Sequence, residues 1–258
     1  TNPDARVILA EFSLEKPLSA YADSFQGVKT GDNPRLSRFF WEVKVIPTSW
    51  RFCQTTVDQT VPFGGRELVL DWTEEGRNWA RRQGVSAWGE NGVAVNQMGR
   101  LPATLYTGDV FDSNTNVIIP KDPQHLRAIW AYVQSSELRI AIRKIDKATK
   151  VTNSSFVKVP FDIGHWQDVA DEMAPLPEPY SNDATQWLFE GNPAGSTDPL
   201  QVAVARLVGY QWPEQADDDL TPLADEDGIL CLPSVAGEAP AAERLRKLLA
   251  ETCGDDWG

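Results

Sequence analysis

The sequence predicts a mixed α+β fold, in which a β-rich domain ending in a helix pair precedes a smaller, acidic and mainly helical segment. Short β-branched or aromatic runs bounded by Gly, Pro, Asn and Asp dominate the first half. Amphipathic helical patterns follow them. The charge then changes: residues 1–160 contain 20 lysines and arginines against 17 acidic residues, and residues 161–258 contain 4 against 20. Such asymmetry indicates two parts with different partners.

Six strands are predicted in the first half, each from an apolar run between turn residues. The runs are RVILAEF, FFWEVKVI, ELVLDW, VAVNQM, ATLYT and NVIIP, at residues 6–12, 39–46, 67–72, 93–98, 103–107 and 116–120. Two turn signals lie among them, PFGGRE at 62–67 and GENGVA at 89–94, and the second contains Asn-Gly. Alternating runs and turns of this kind indicate a β-rich domain.

A helix pair is predicted after the last of these strands. Asp122 can cap the first helix, Pro123 can occupy its first position, and one face repeats apolar residues at Leu126, Ile129, Trp130 and Val133. Residues 138–150 predict the second helix, with basic residues on one face at Arg139, Arg143, Lys147 and Lys150. Residues 151–161 predict a return to extended backbone.

The domain boundary is predicted near residues 164–185, because residues 171–184 are acidic, Pro-rich and typical of a linker. This divides the chain into a domain at 1–165 and an acidic, partly helical segment at 166–258. Within that segment, residues 198–210 and 239–252 predict helices, and residues 214–228 predict an acidic loop.

Composition excludes several classes of function. The apolar runs are too short and too interrupted by charge to span a membrane. Three cysteines, odd in number and far apart, indicate a reducing compartment, so we expect a cytoplasmic protein. Two histidines are too few for a His-rich metal site, and no catalytic motif is present. The chain begins without Met and ends abruptly, and we expect it to be a piece of a longer protein.

Two basic features are candidate binding sites. The loop GVKTGDN is either a turn that relies on Gly27 and Gly31, or an anion site that presents Thr30, Arg35 and Arg38. The basic stripe of the second helix is either a solvated face or a phosphate-binding surface, since its four cations repel one another unless an anion is present.

Several segments, taken in order, resemble the target recognition region of large adenine-N6 DNA methyltransferases. These are fused restriction–modification enzymes and the methyltransferases of phage-defence systems of the DISARM or BREX type. The similar segments are GVKTGDNPRLSRFFWEV, VPFGGRELVLDW, VFDSNTNVIIPKD, WAYVQSSELRIAIRKI and TNSSFVKVPF, at 27–43, 61–72, 110–122, 130–145 and 152–161. The chain departs from the family at GVAVNQMGR (92–100), so base-reading residues do not transfer there.

The resemblance implies that the chain reads a double-stranded DNA site, with methylation left to a missing catalytic domain upstream. That domain would bind S-adenosylmethionine, so this fragment needs no cofactor and is not an enzyme alone. Its partners would be DNA, the missing methyltransferase domain and other defence-system proteins. We expect DNA contacts from the loop and the stripe, at Lys29, Thr30, Asn33, Arg35, Arg38, Arg139, Arg143, Lys147 and Lys150.

Two other classes of function stay open. Ten tryptophans suggest a carbohydrate-binding module, because aromatic faces stack on sugars. The acidic second part suggests a protein-interaction scaffold.

Overall fold

The structure, a computed structural model, describes residues 16–73, 81–225, 227–235 and 237–254. It contains both helices and two four-stranded sheets, which confirms the predicted mixed α+β class. The strand predicted at 6–12 lies outside the described residues.

The strands are short, and each supplies residues to one of the two sheets. In chain order they are β1 (Ala22–Gln26), β2 (Ser37–Phe39), β3 (Trp50–Gln54), β4 (Leu68–Asp71), β5 (Gly92–Asn96), β6 (Ala103–Tyr106), β7 (Val110–Phe111) and β8 (Thr115–Pro120). The first sheet has the order β1-β8-β5-β6 and is antiparallel throughout. The second has the order β2-β4-β3-β7, and its β3–β7 pair is parallel.

Two connections between the sheets run side by side. Residues 27–36 lead from β1 to β2, and residues 112–114 lead from β7 to β8. Since β1 and β8 are antiparallel and Gln26 pairs with Asn116, the chain leaves β1 at the same end of the sheet at which it enters β8. Both connecting loops therefore meet at one junction, which we call the inter-sheet junction.

Helices cover one face of the first sheet, and the main hydrophobic core lies between these helices and the sheet. The described helices are α1 (Asn33–Leu36), α2 (Leu126–Gln134), α3 (Ser136–Ile145), α4 (Asn153–Phe156), α5 (Ile163–Glu172), α6 (Pro199–Leu207) and α7 (Ala241–Cys253). Ile129 and Trp130 of α2 are buried with Ile118 of β8. Trp166 and Ala170 of α5 belong to the same cluster. The main core thus extends past residue 165, and the domain division there stays a prediction.

A second core joins the acidic part of the chain to the second sheet. Val69 of β4 is buried with Trp187, Phe189 and Trp212. The backbone N–H of Arg66 donates to Gln186 Oε1 at 2.7 Å, and the backbone N–H of Trp187 donates to the Arg66 carbonyl at 2.9 Å. The second sheet is therefore buried by residues that lie more than a hundred positions further along the chain.

Most of the predicted elements are confirmed. Strands are present within 67–72, 93–98, 103–107 and 116–120, and α6 and α7 lie in the two segments predicted as helices. Asp122 caps a short 3₁₀ turn, Pro123–His125, that leads into α2: its carboxylate accepts the N–H of Gln124 at 3.0 Å.

The strand predicted at 39–46 is wrong. Strand β2 ends at Phe39, and a 3₁₀ turn follows at Phe40–Glu42. The Glu42 carboxylate accepts the backbone N–H of Phe39 at 2.9 Å, and this hydrogen bond closes the turn. Strands β1 and β3 were not predicted.

The helix predicted at 138–150 is shorter, and the extended segment predicted at 151–161 contains a helical turn. Helix α3 ends at Ile145, because Asp146 leaves the helical conformation and its carboxylate accepts the N–H groups of Ala148 and Thr152, each at 3.0 Å. These bonds favour a compact loop over another helical turn. Lys147 and Lys150 lie in that loop, so the continuous helical stripe of four cations is wrong.

Candidate nucleic-acid interface

The inter-sheet junction is held together by close backbone contact. Val28 N–H donates to the Phe111 carbonyl at 2.7 Å. A Cβ atom at Gly27 would lie 2.1 Å from the Phe111 carbonyl oxygen and 2.2 Å from that of Asp112. Glycine is therefore required at residue 27 for this approach, and the loop that follows has a fixed position.

A cleft of about 360 Å³ opens between the two connecting loops. One wall carries Lys29, Thr30 and Asn33, and the other is formed by residues 112–114. Thr30 is buried, and its hydroxyl donates to Asn33 Oδ1, which fixes both side chains. Three of the five residues predicted from the loop thus share one site.

The floor of the cleft is apolar and contains Cys53, Leu68 and Leu70 from the second sheet. Burial raises the pKa of the Cys53 thiol well above its usual range, and the nearby Asp112 and Asp109 act in the same direction. Since the thiolate is the nucleophilic form, this shift disfavours a nucleophilic role for Cys53.

Lys150 completes the rim from a distant part of the chain. Its Nζ donates to the Ser113 carbonyl at 3.0 Å and to Asn114 Oδ1 at 2.9 Å. The compact loop after α3 therefore brings Lys150 to the wall opposite Lys29. A continued helix would have given it a different position.

The other predicted cations have different surroundings. Arg35 lies on the short helix α1, and Lys147 is exposed in the loop after α3. Arg38 donates to the carbonyls of Pro34 and Ser37, at 2.7 and 2.6 Å. Arg143 donates to the carbonyls of Ala148 and Gly99, and Arg139 lines a separate depression together with Arg100. Of the nine predicted residues, the cleft brings together Lys29, Thr30, Asn33 and Lys150.

Two arginines beside the junction were missed. Lys29 and Arg81 exchange backbone hydrogen bonds of 2.9 and 3.0 Å, which places Arg81 next to the loop. The guanidinium of Arg82 lies 5.4 Å from the ring centre of Trp72 and 5.5 Å from that of Trp88. The Arg-Arg pair itself was visible in the sequence, but nothing in the sequence indicated that it pairs with Lys29.

The cations around the junction form no salt bridge with the acidic residues that the structure describes. Within the described ranges, salt bridges join Lys121 to Asp23, Arg127 to Asp171, Arg206 to Asp218, Arg244 to Asp225, and Lys247 to Glu251. None of these bridges includes Lys29, Arg81, Arg82 or Lys150. Asp112 lines the cleft, but within the described residues its carboxylate accepts hydrogen bonds from Asn114 and Thr115 and forms no salt bridge with these cations. Cations that are not neutralised by a salt bridge attract anions.

A larger groove, of about 840 Å³, lies along β3 and was not predicted. Trp50, Phe52, Trp72 and Trp88 line it, and Asp109 is its one acidic lining residue in the part of the chain that the structure describes. Burial raises the pKa of Asp109, although the hydrogen bond from Thr107 and the charge of Arg66 oppose this effect.

Comparison with models of known protein families finds no match, and comparison with curated proteins also finds none. The family resemblance stays a prediction. No helix in the described ranges has the length and apolar character needed to cross a membrane.

Proposed function

We propose that this chain binds double-stranded DNA as the target recognition part of an adenine-N6 DNA methyltransferase. The observation that supports it is the group of cations at the inter-sheet junction, which form no salt bridge among the described residues. Lys29 lines one wall of the cleft, and Lys150 is bonded to residues 113 and 114 of the other. Phosphate groups supply the missing negative charge, and their counterions are released on binding.

In this proposal, the cleft positions the DNA backbone. A space of about 360 Å³ accommodates a phosphate group but not a duplex, so the backbone passes across the rim. Lys29, Arg81 and Lys150 contact phosphates, which fixes the orientation of the duplex without reading sequence. Loops on a rigid scaffold are suited to this role, and both cleft loops are anchored in the two sheets.

Methyl transfer belongs, in this proposal, to a catalytic domain elsewhere in the protein. That domain binds S-adenosylmethionine and acts on an adenine that has left the helix. The chain described here holds the duplex at the chosen site, and its acidic part contacts protein partners, including other defence proteins.

The proposal is tested by a fluorescence-anisotropy titration of the full chain with random-sequence duplex DNA. We expect the double variant Lys29→Ala/Lys150→Ala to bind all sequences more weakly and to lower the magnitude of the salt slope by about 2, since two phosphate contacts are lost. Lys247→Ala is the matched control, because this lysine lies on α7 and pairs with Glu251.

Equal affinity of the double variant and the wild type would remove the cleft from the DNA interface. Absence of DNA binding by the wild type at low salt would reject the proposal and favour a scaffold for protein partners. A fluorescence change with oligosaccharides but not with DNA would favour carbohydrate binding instead.

A further inference from the structure

The aromatic groove along β3 has the features of a ligand site that the DNA-binding cleft does not explain. Tyr210 and Trp212 come from the acidic part of the chain and line the same groove as Trp50 and Phe52 of β3. Trp72 and Trp88 form a T-shaped pair with ring centres 5.4 Å apart, and both also line it. A concave apolar site with a few polar groups is the usual form of a small-ligand pocket.

The charges around this groove favour an anionic ligand. Lys44 and Arg51 line it, and the Arg82 guanidinium lies near the faces of Trp72 and Trp88. Within the described residues, none of the three cations takes part in a salt bridge with a carboxylate. Asp109 is the acidic residue that lines the groove in the described part of the chain, and the Thr107 hydroxyl donates to one of its carboxylate oxygens at 3.0 Å. A ligand with a planar ring and an attached negative group could stack on the aromatic faces and be attracted by the cations.

We propose that the aromatic groove holds one unpaired nucleotide of the bound DNA. The base stacks on the aromatic side chains, and the attached phosphate lies near Lys44 and Arg51. The Asp109 carboxylate, which also lines the groove, accepts a hydrogen bond from a base amino group. This proposal rests on the proposed DNA binding and adds a second contact to it.

A backbone pairing connects the cleft to the cations of the groove. Lys29 on the cleft wall is hydrogen-bonded to Arg81, and the next residue, Arg82, lies over two rings of the groove. A DNA strand that crosses the rim at Lys29 therefore follows adjacent cations toward the aromatic side chains. A neutral sugar would gain nothing from these cations, so their presence favours a nucleotide over a carbohydrate.

The test compares two duplexes that differ at one position. One carries an unpaired 2-aminopurine, and the other has an abasic site in its place. We expect the full chain to bind the first about tenfold more tightly, as is typical of one stacked base, and to quench the 2-aminopurine fluorescence. Tyr210→Leu is expected to reduce both effects, whereas Tyr210→Phe, which keeps the ring, retains them.

Each outcome separates the two proposals. Equal affinity for both duplexes, without quenching, would overturn the nucleotide site while leaving DNA binding intact. Failure of the chain to bind either duplex would overturn the proposed DNA binding and the nucleotide site together. Identical behaviour of Tyr210→Leu and Tyr210→Phe would also overturn the assignment, because ring stacking would then make no contribution. Competition by a neutral oligosaccharide for the groove would assign it to carbohydrate.

Discussion

Gly27 sets the distance between the two loops of the cleft, because any side chain there meets the carbonyls of residues 111 and 112. We expect Gly27→Ala to lower the free energy of unfolding by about 1–3 kcal/mol, the usual cost of overpacking against backbone that cannot move aside. Chemical denaturation measures this. Gly164→Ala is the control, since a Cβ there meets Asp162 Oδ1 at an ordinary 3.5 Å and alanine favours helix α5. If Gly27→Ala has the same free energy of unfolding as the wild type, the two loops can move apart at little cost and the prediction is wrong.

Asp146 organises the loop that carries Lys150. Its carboxylate accepts hydrogen bonds from Thr152, Ala148 and Ser155, which lower its pKa to about 2. The folded pKa is below the unfolded value of about 3.9, so the stabilisation is full above about pH 4 and is lost as the pH falls through about 2. We expect Asp146→Asn to melt at a lower temperature at pH 7 and to lose less stability than the wild type on acidification.

Melting temperatures measured from pH 7 to pH 2 test this prediction. Asp58→Asn, at an exposed aspartate, is the control and should keep the acid dependence of the wild type. If Asp146→Asn keeps the same dependence as well, the hydrogen bonds to Asp146 do not stabilise the fold.

Among the strands, those within long apolar runs, such as β4 and β8, were predicted, whereas β1, β3 and the two-residue β7 were missed. Runs such as those of β4 and β8 are buried on both faces, so apolar residues alone indicate them. The sequences of β1 (ADSFQ) and β3 (WRFCQ) mix polar and apolar residues, and they become strands only by pairing with distant partners. Only part of the cleft could be predicted. Its first wall is a single local loop that the sequence indicates, whereas tertiary contacts place Lys150 and Arg81 beside it.

Arg143, which is predicted to contact phosphate, also connects helix α3 to neighbouring backbone. Its guanidinium donates to the carbonyls of Gly99, in the turn before β6, and of Ala148, in the loop after the helix. We expect Arg143→Ala to destabilise the protein by about 1 kcal/mol through these bonds. Lys144→Ala, at the exposed neighbouring position, should leave stability unchanged. Equal denaturation midpoints for the two variants would contradict this role.

The whole molecule depends on packing between its basic and acidic parts. Trp166 belongs to the main core, and Trp187 and Trp212 cover the second sheet. We expect a chain that ends at residue 165 to lose the cooperative thermal transition of the full chain, because truncation exposes both cores. Charge divides the sequence near residue 160, whereas the buried clusters contain residues from both sides of that division. A cooperative transition in the truncated chain would show that residues 1–165 fold independently.

The central claim is tested most directly by the affinity of the full wild-type chain for random-sequence duplex DNA, measured by anisotropy from about 50 to 200 mM salt. Contacts of Lys29, Arg81 and Lys150 with phosphates predict that the logarithm of the binding constant falls linearly with the logarithm of the salt concentration, with a slope of about −3. Binding independent of salt, or no binding at the lowest concentration, would contradict the claim that the inter-sheet junction holds the DNA backbone.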